Sequence, residues 1–304
     1  MTGDNVRSWC NPGHRGHARA TIALLCITLA LLGACSALRL GYNQADKLAY
    51  FWLNRFVDFD DAQAQKVREG IAAWFAWHRR TQLADYVELL GRAEAELGAD
   101  TTAERSCSWW PAVRSRIDRA ADQAVPVIAS IAATLKPVQL QNIEKRYEKT
   151  NREYRDDFMQ TDPVLRSAEA AKRLIDHYES IYGNLEQFQK ERLERMSDDS
   201  PYDSTLAFEE RRRRQQEALR VLRRVAQEQP GDAAAQALIR DWLQRFDKPP
   251  SEAYRLYADK LIKHNCRVFA DLHNRTSSAQ RQFAKERLRA WATDLRVLAA
   301  ERID

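Results

Sequence analysis

The chain has 304 residues, 44% of them hydrophobic and 30% charged, with a formal net charge of +5. That length and apolar content can build a sizeable core, which excludes a disordered polar tail. The near-balance of charge gives no argument for a nucleic acid or another polyanionic partner.

Residues 1–34 read as an export signal: Arg7, Arg15 and Arg19 stand against Asp4, and Ile22–Leu32 is an apolar run followed by small residues. The alternative, an uncleaved membrane span, is disfavoured because the run from Ala20 to Cys35 covers only 16 residues, short of the roughly 20 that cross a bilayer. Leu32-Gly33-Ala34-Cys35 resembles the lipobox of bacterial lipoproteins, whose cysteine takes diacylglycerol on sulfur and becomes the new N-terminus. Cys35 is therefore the candidate lipid-attachment site. Ser36 after it implies, by the same resemblance, an outer-membrane lipoprotein facing the periplasm. Two or more acyl chains, at about 0.8 kcal/mol per buried methylene, anchor stably. The mature chain would run from Cys35 to Asp304, 270 residues with a formal charge of +3.

Residues 35–59 are rich in aromatics (Tyr42, Tyr50, Phe51, Trp52, Phe56, Phe59) interleaved with polar residues. They read either as an interfacial helix in the lipid headgroups or as a first helix docked on the core, and the aromatic density favours docking. Residues 60–196 form an N-terminal helical region. Val67, Ile71, Trp74, Phe75 and His78 share one helical face, which makes His78 a core histidine. The pattern resumes through Tyr86, Leu89, Leu90 and Ala93, as a continuation or a second helix. Gly98–Ser108 reads as a loop. Trp110, Val113, Ile117, Ala121, Ala124, Ile128 and Ile131 mark the next helix, with Pro126 expected to kink or break it. Pro137 opens a long polar helix. Pro163 suits a first helical position, and Gly183 a stop.

Residues 197–205 (SDDSPYDST) are the best linker candidate, followed by a C-terminal helical region over 206–304. It contains a helix through Arg211–Arg214, a break at Pro230-Gly231, a turn at Pro249-Pro250, and final helices over about 251–274 and 278–302. With no sustained period-two runs, the predicted class is all-α: a bundle of antiparallel amphipathic helices in one large or two abutting subdomains.

A five-residue pattern recurs four times: Phe59-Asp-Asp-Ala-Gln63, Leu135-Lys-Pro-Val-Gln139, Leu185-Glu-Gln-Phe-Gln189 and Thr276-Ser-Ser-Ala-Gln280. It reads as a capping box, the glutamine at the third helical position returning a hydrogen bond to the cap residue. Lys136 and Glu186 are poor caps, so two copies are degraded. The pattern also resembles the Leu-Thr-x-x-Gln motif of the Spy and CpxP periplasmic chaperones, although no copy has both the Leu and the Thr.

Of five cysteines, Cys10 and Cys26 leave with the signal and Cys35 takes the lipid, leaving Cys107 and Cys266. In an oxidising compartment these form either a bridge or two independent buried thiols. The blocks Cys35–Asn43, Val57–Gln63 and Trp74–Leu83, with His264-Asn-Cys266, Leu272-His-Asn274 and Gln280-Arg281, resemble the lipoprotein family catalogued as domain of unknown function 6279. That resemblance implies an exported, lipidated, helical protein in which Cys107 and Cys266 are paired. The family has no established activity.

No catalytic motif occurs. His264 and His273 flank Cys266 at a spacing that does not place both on one helical face as ligands, so no metal or cofactor is expected. Glu179-Ser180 resembles the catalytic pair of lytic transglycosylases, where a carboxyl with raised pKa serves as general acid, but Glu179 reads better as a solvated helix residue. Arg211–Arg214 point around a helix, and Glu210 with Arg214 forms an i, i+4 pair, again a solvated face. The expected function is non-enzymatic: a membrane-tethered protein-interaction or structural role with unknown envelope partners. A Spy/CpxP-like chaperone and a peptidoglycan-acting enzyme are the alternatives.

Overall fold

The structure is a computed structural model that describes residues 37–301. The proposed signal and Cys35 lie outside the described residues. All regular elements among the described residues are α-helices. The chain divides into two units at Gln44. In the first, the described part is α1 (Ala37–Asn43), on which Leu38 and Leu40 are exposed. Everything described from Ala45 onward forms one compact unit, so residues 197–205, of which 199–203 connect two helices, lie inside a single body.

That body begins with α2 (Ala45–Val57), docked on the core by its C-terminal end and exposed on another face. Phe56 and Val57 pack with Leu135, Leu140, Ile143 and Leu219, whereas Leu48, Phe51 and Trp52 are 60%, 61% and 58% exposed. Their i, i+3, i+4 spacing puts those three on one outward face. Next come α3 (Asp61–Thr81) and α4 (Leu83–Glu96), joined through Gln82 in helical conformation, so the apolar pattern continues almost without a break. The sequence loop that follows contains a short helix, α5 (Ala103–Cys107), because Thr102 caps it by accepting the Arg105 N–H at 3.2 Å.

α6 (Trp110–Ala132) runs through Pro126 without breaking. Proline costs a helix interior about 3 kcal/mol, but its neighbours Val125 and Ala129 are fully buried with Ala132 against Val221, Val225, Ala235 and Ile239. That packing holds the helix together. It also rotates the buried stripe away from the one read in sequence, leaving Trp110 and Ile117 exposed. The remaining helices are α7 (Pro137–Phe158), α8 (Pro163–Tyr182), α9 (Gln187–Asp198), α10 (Ser204–Glu228), α11 (Asp232–Asp247), α12 (Glu252–Asn274) and α13 (Ser278–Ala300). Their limits follow the predicted punctuation: Asp162, Asp203 and Ser251 accept N-terminal amides, while Gly183 and Gly231 adopt positive φ of 77° and 81°.

α8, α9, α12 and α13 enclose a separate cluster in which Leu193, Val268 and Leu272 are at most 1% exposed. Each such side chain contributes about 1.5–3 kcal/mol. α4 lies along α13, and α3 against α6. At the latter contact a Cβ added to Gly70 would fall 2.1 Å from Val127 Cγ2. Gly70→Ala is therefore expected to destabilise by about 1–2 kcal/mol, since overpacking outweighs the gain in helix propensity. A urea midpoint that rises instead would contradict this contact.

The four glutamine copies join parts of the chain that are distant in sequence. In each, the side-chain oxygen accepts the N–H of the residue before its own helix: Asp60, Lys136, Glu186 and Ser277, at 3.1, 2.9, 2.8 and 2.9 Å. The side-chain nitrogens then cross in pairs. Gln63 donates to Thr134 O and Gln139 Oε1, and Gln139 donates to Asp58 O and Gln63 Oε1. Gln189 donates to Arg275 O and Gln280 Oε1, and Gln280 donates to Asn184 O and Gln189 Oε1. In all four cases the recipient carbonyl lies five residues before the partner glutamine.

Each clasp thus locks two helical hairpins, α2–α3 with α6–α7 and α8–α9 with α12–α13. The degraded caps still work in part. Lys136 and Glu186 use their backbone carbonyls for the Gln139 and Gln189 amides; for Lys136 no side-chain alternative exists, since an ammonium has no acceptor. Lys136 Nζ instead pairs with Asp60, the cap of the other copy, at 2.8 Å.

The arginine run is not a solvated face. Arg213 binds Glu210 through two nitrogens at 2.7 and 2.8 Å and Glu217 at 2.6 Å. Arg214 takes Glu210 at 2.7 Å, and Arg245 takes Glu217. Both carboxylates are buried. Burial raises the Glu210 pKa, but the guanidinium hydrogen bonds outweigh it and leave the carboxyl below its ordinary value.

Candidate functional site, a tryptophan groove beside the disulfide

The C-terminal signature residues converge on residues 98–107. Cys266 on α12 is bonded to Cys107 on α5, 159 residues apart in sequence. Two turns beyond it, His273 Nε2 meets Ala99 O at 2.8 Å. Asn274 exchanges two bonds with the Thr101 backbone, at 2.8 and 2.9 Å, and Arg281 reaches Asp100. Three side chains and a disulfide therefore hold down a segment whose own helix, α5, buries no residue.

The fixed segment sets the position of Trp109 and Trp110 at the start of α6. With Trp291, Phe269 and Ile262 they line an open groove of about 550 Å³, with Cys266 among its walls. Its tryptophans are held by polar contacts at the rim. Trp109 Nε1 donates to Glu96 at 3.1 Å, and Arg92 lies 5.1 Å above the same ring. Arg287 lies 5.4 Å from the Trp291 ring. Hydrogen bonding from Arg105 keeps the Glu96 carboxyl below its ordinary pKa despite some desolvation. Rigid indoles with arginines against them are the side chains that dominate protein–protein contacts. The groove presents mainly apolar area, with Thr101, Ser106 and His273 also in its lining.

Three of the four described histidines are built into the packing. His273, 1% exposed, accepts or shares a proton with Tyr182 OH through Nδ1 at 2.9 Å. With Nε2 facing a carbonyl, that nitrogen carries the hydrogen and Nδ1 is the acceptor. Neither nitrogen is available to a ligand. His78 stacks on Trp74 and meets Tyr86 OH at 3.2 Å. His264 is buried on α12, while His177 is exposed. Among the described residues no three metal-ligating side chains cluster.

Burial lowers the pKa of His78, His264 and His273 below 6.5, so folding favours their neutral forms. Their contribution is fully present above 6.5 and is lost as pH falls from there through the depressed folded values. The slope of stability against pH between about 7 and 5 is expected to flatten in His273→Gln; an unchanged slope in urea melts would remove His273 from that account.

Glu179 does not suit a general acid. It pairs with Lys190 at 2.8 Å and accepts the Leu185 N–H at 3.2 Å. The Lys190 hydrogen bond, then the backbone bond, lower its pKa, the opposite of what proton donation needs.

The family described as "Family of unknown function (DUF6279)" matches residues 55–255, which include both tryptophans of the α6 start and the first three glutamine copies. No match was found among curated proteins or among solved structures. By a match over about two thirds of its length, this helical chain belongs to the DUF6279 family.

Proposed function

We propose that the protein is an outer-membrane lipoprotein, anchored through Cys35, whose periplasmic body binds a protein partner through the Trp109/Trp110/Trp291 groove. The observation that carries the reading is that groove: an open, mostly apolar surface whose indoles are positioned by a disulfide and by arginine contacts. Tethering raises the local concentration of such a surface for partners in the same envelope layer. The four glutamines that resemble the chaperone motif are at most 8% exposed and bond one another, so their use here is architectural and does not favour client binding.

Two measurements test the reading. Cys35→Ala is expected to abolish incorporation of labelled palmitate; labelling that persists would remove the anchor. A photo-crosslinking residue at Trp110 in intact cells is expected to capture one or two near-stoichiometric proteins. A broad spread of envelope proteins, increased by unfolding stress, would instead favour the chaperone. No adduct at all would leave the groove without a protein partner and count against the proposal.

A further inference from the structure

The outward face of α2 leaves Leu48, Phe51 and Trp52 uncovered, and no other helix among the described residues exposes three large apolar side chains so close together. An exposed apolar cluster of this kind marks a surface that is covered in use. It is fixed to the body. α2 packs against α3 and α7, and Arg68 covers the Tyr50 ring at 4.1 Å. The Trp52 ring rests 4.5 Å from that of Phe56, whose neighbour Val57 is in the core. The ridge therefore cannot turn inward to hide.

Its borders and its place in the chain indicate what covers it. Lys47 and Arg55, both exposed, stand one turn before and one turn after Phe51, with Arg55 5.8 Å from the Phe51 ring. Leu, Phe and Trp flanked by cations on one helical face suit the boundary of a bilayer. There, aromatic rings sit at headgroup depth and long basic side chains reach the phosphates.

The chain also brings this face to the membrane. Ala45 follows Cys35 by ten residues, seven of them in α1, so the two lie at most about 25 Å apart. A compact body of about 260 residues is about 45 Å across. The tether is shorter than the body is wide, so an anchor at Cys35 holds the start of α2 near the bilayer.

We propose that the Leu48/Phe51/Trp52 face of α2 seats in the surface of the membrane to which Cys35 is attached, so that the body docks in one orientation instead of swinging on its lipid. This rests on the Cys35 anchor proposed above and not on the tryptophan groove.

The test places a bimane at Leu48→Cys of the lipidated full-length protein, floated with vesicles of phosphatidylcholine and phosphatidylglycerol. The reference position is Phe188→Cys, exposed on α9. With Cys35 acylated and Cys107 bonded to Cys266, the introduced thiol is the one left to label. On the vesicles, bimane at 48 is expected to shift to the blue and to lose quenching by iodide, relative to the Cys35→Ser protein (residues 35–304) in buffer. Bimane at 188 is expected to stay quenched. Adding Phe51→Asp should restore iodide access at 48 while flotation persists through the lipid. That variant leaves the Trp52–Phe56 contact in place, and circular dichroism checks its fold.

Flotation with bimane at 48 still quenched would leave the anchor standing and overturn the docked face. Failure to float would overturn both. Equal shielding at 188, or unchanged shielding at 48 in Phe51→Asp, would show that the ridge does not direct the contact and overturn the proposal. Shielding at 48 that appears in the buffer protein and grows with its concentration would assign the face to a second copy and overturn it as well.

Discussion

Gln189→Ala is expected to lower stability by about 3–5 kcal/mol, the largest effect of any single polar substitution in the chain. Its side chain is 0% exposed and takes part in four bonds: it accepts from Glu186 N–H and Gln280 Nε2 and donates to Arg275 O and Gln280 Oε1. Truncation leaves those groups in a buried site one turn from Leu193, where desolvation is not repaid. It also leaves a cavity the size of an amide side chain. Because Gln280 loses its partner in the same event, the double variant Gln189→Ala/Gln280→Ala should cost less than the sum of the two single variants by about 1–3 kcal/mol. Urea midpoints for the four proteins give the coupling directly. Strict additivity would mean that the clasp is two independent caps and that the crossed bonds contribute nothing.

Loss of the Cys107–Cys266 bond has an effect of similar size but a different character. The chain-entropy account credits closure of so long a loop with about 5 kcal/mol, and measured values fall at or below that figure. The bond spans 159 residues, so Cys107→Ser/Cys266→Ser is expected to lose about 2–5 kcal/mol. The structural consequence is local. α5 buries nothing of its own, and without the bond the segment is held by His273, Arg281 and Asn274 at Ala99, Asp100 and Thr101 and by Glu96 at Arg105 and Trp109. Amide exchange should accelerate over 102–110 and leave α12 and α13 protected. Trp109 and Trp110 should become more accessible to acrylamide, and capture at the groove should fall. Uniform acceleration across all helices would place the bond in global stability alone and detach it from the groove.

Much of this architecture is legible in the chain because its signals are local. Helix limits at Asp162-Pro163, Gly183, Pro230-Gly231 and Ser277 depend on backbone preferences and caps within three residues, and those act wherever the segment lies. The cysteine pair and the four glutamine copies also stand out as patterns. Two features that lay close in sequence to strong signals were hidden for the same reason. The helix at Ala103–Cys107 sits in a segment of turn-forming residues, and Pro126 sits inside a helix that only burial of Val125 and Ala129 sustains.

What a glutamine does beyond its own cap is decided elsewhere. Gln63 meets Thr134 O across 71 residues and Gln280 meets Asn184 O across 96, partners that exist only once two hairpins have docked. The run Arg211–Arg214 looks solvated in sequence because burial, which sets the cost of a charge, is decided by packing. Glu210 and Glu217 lie on the same helix as the run, and only Arg245 joins the network from another helix. The same holds for the two candidate surfaces. Sequence determined that this chain is a set of capped amphipathic helices with one pair of cysteines in the body. Tertiary packing alone decided that Trp109, Trp110 and Trp291 share a groove and that Leu48, Phe51 and Trp52 stay uncovered, because side-chain environment is a property of docked helices and not of any one of them.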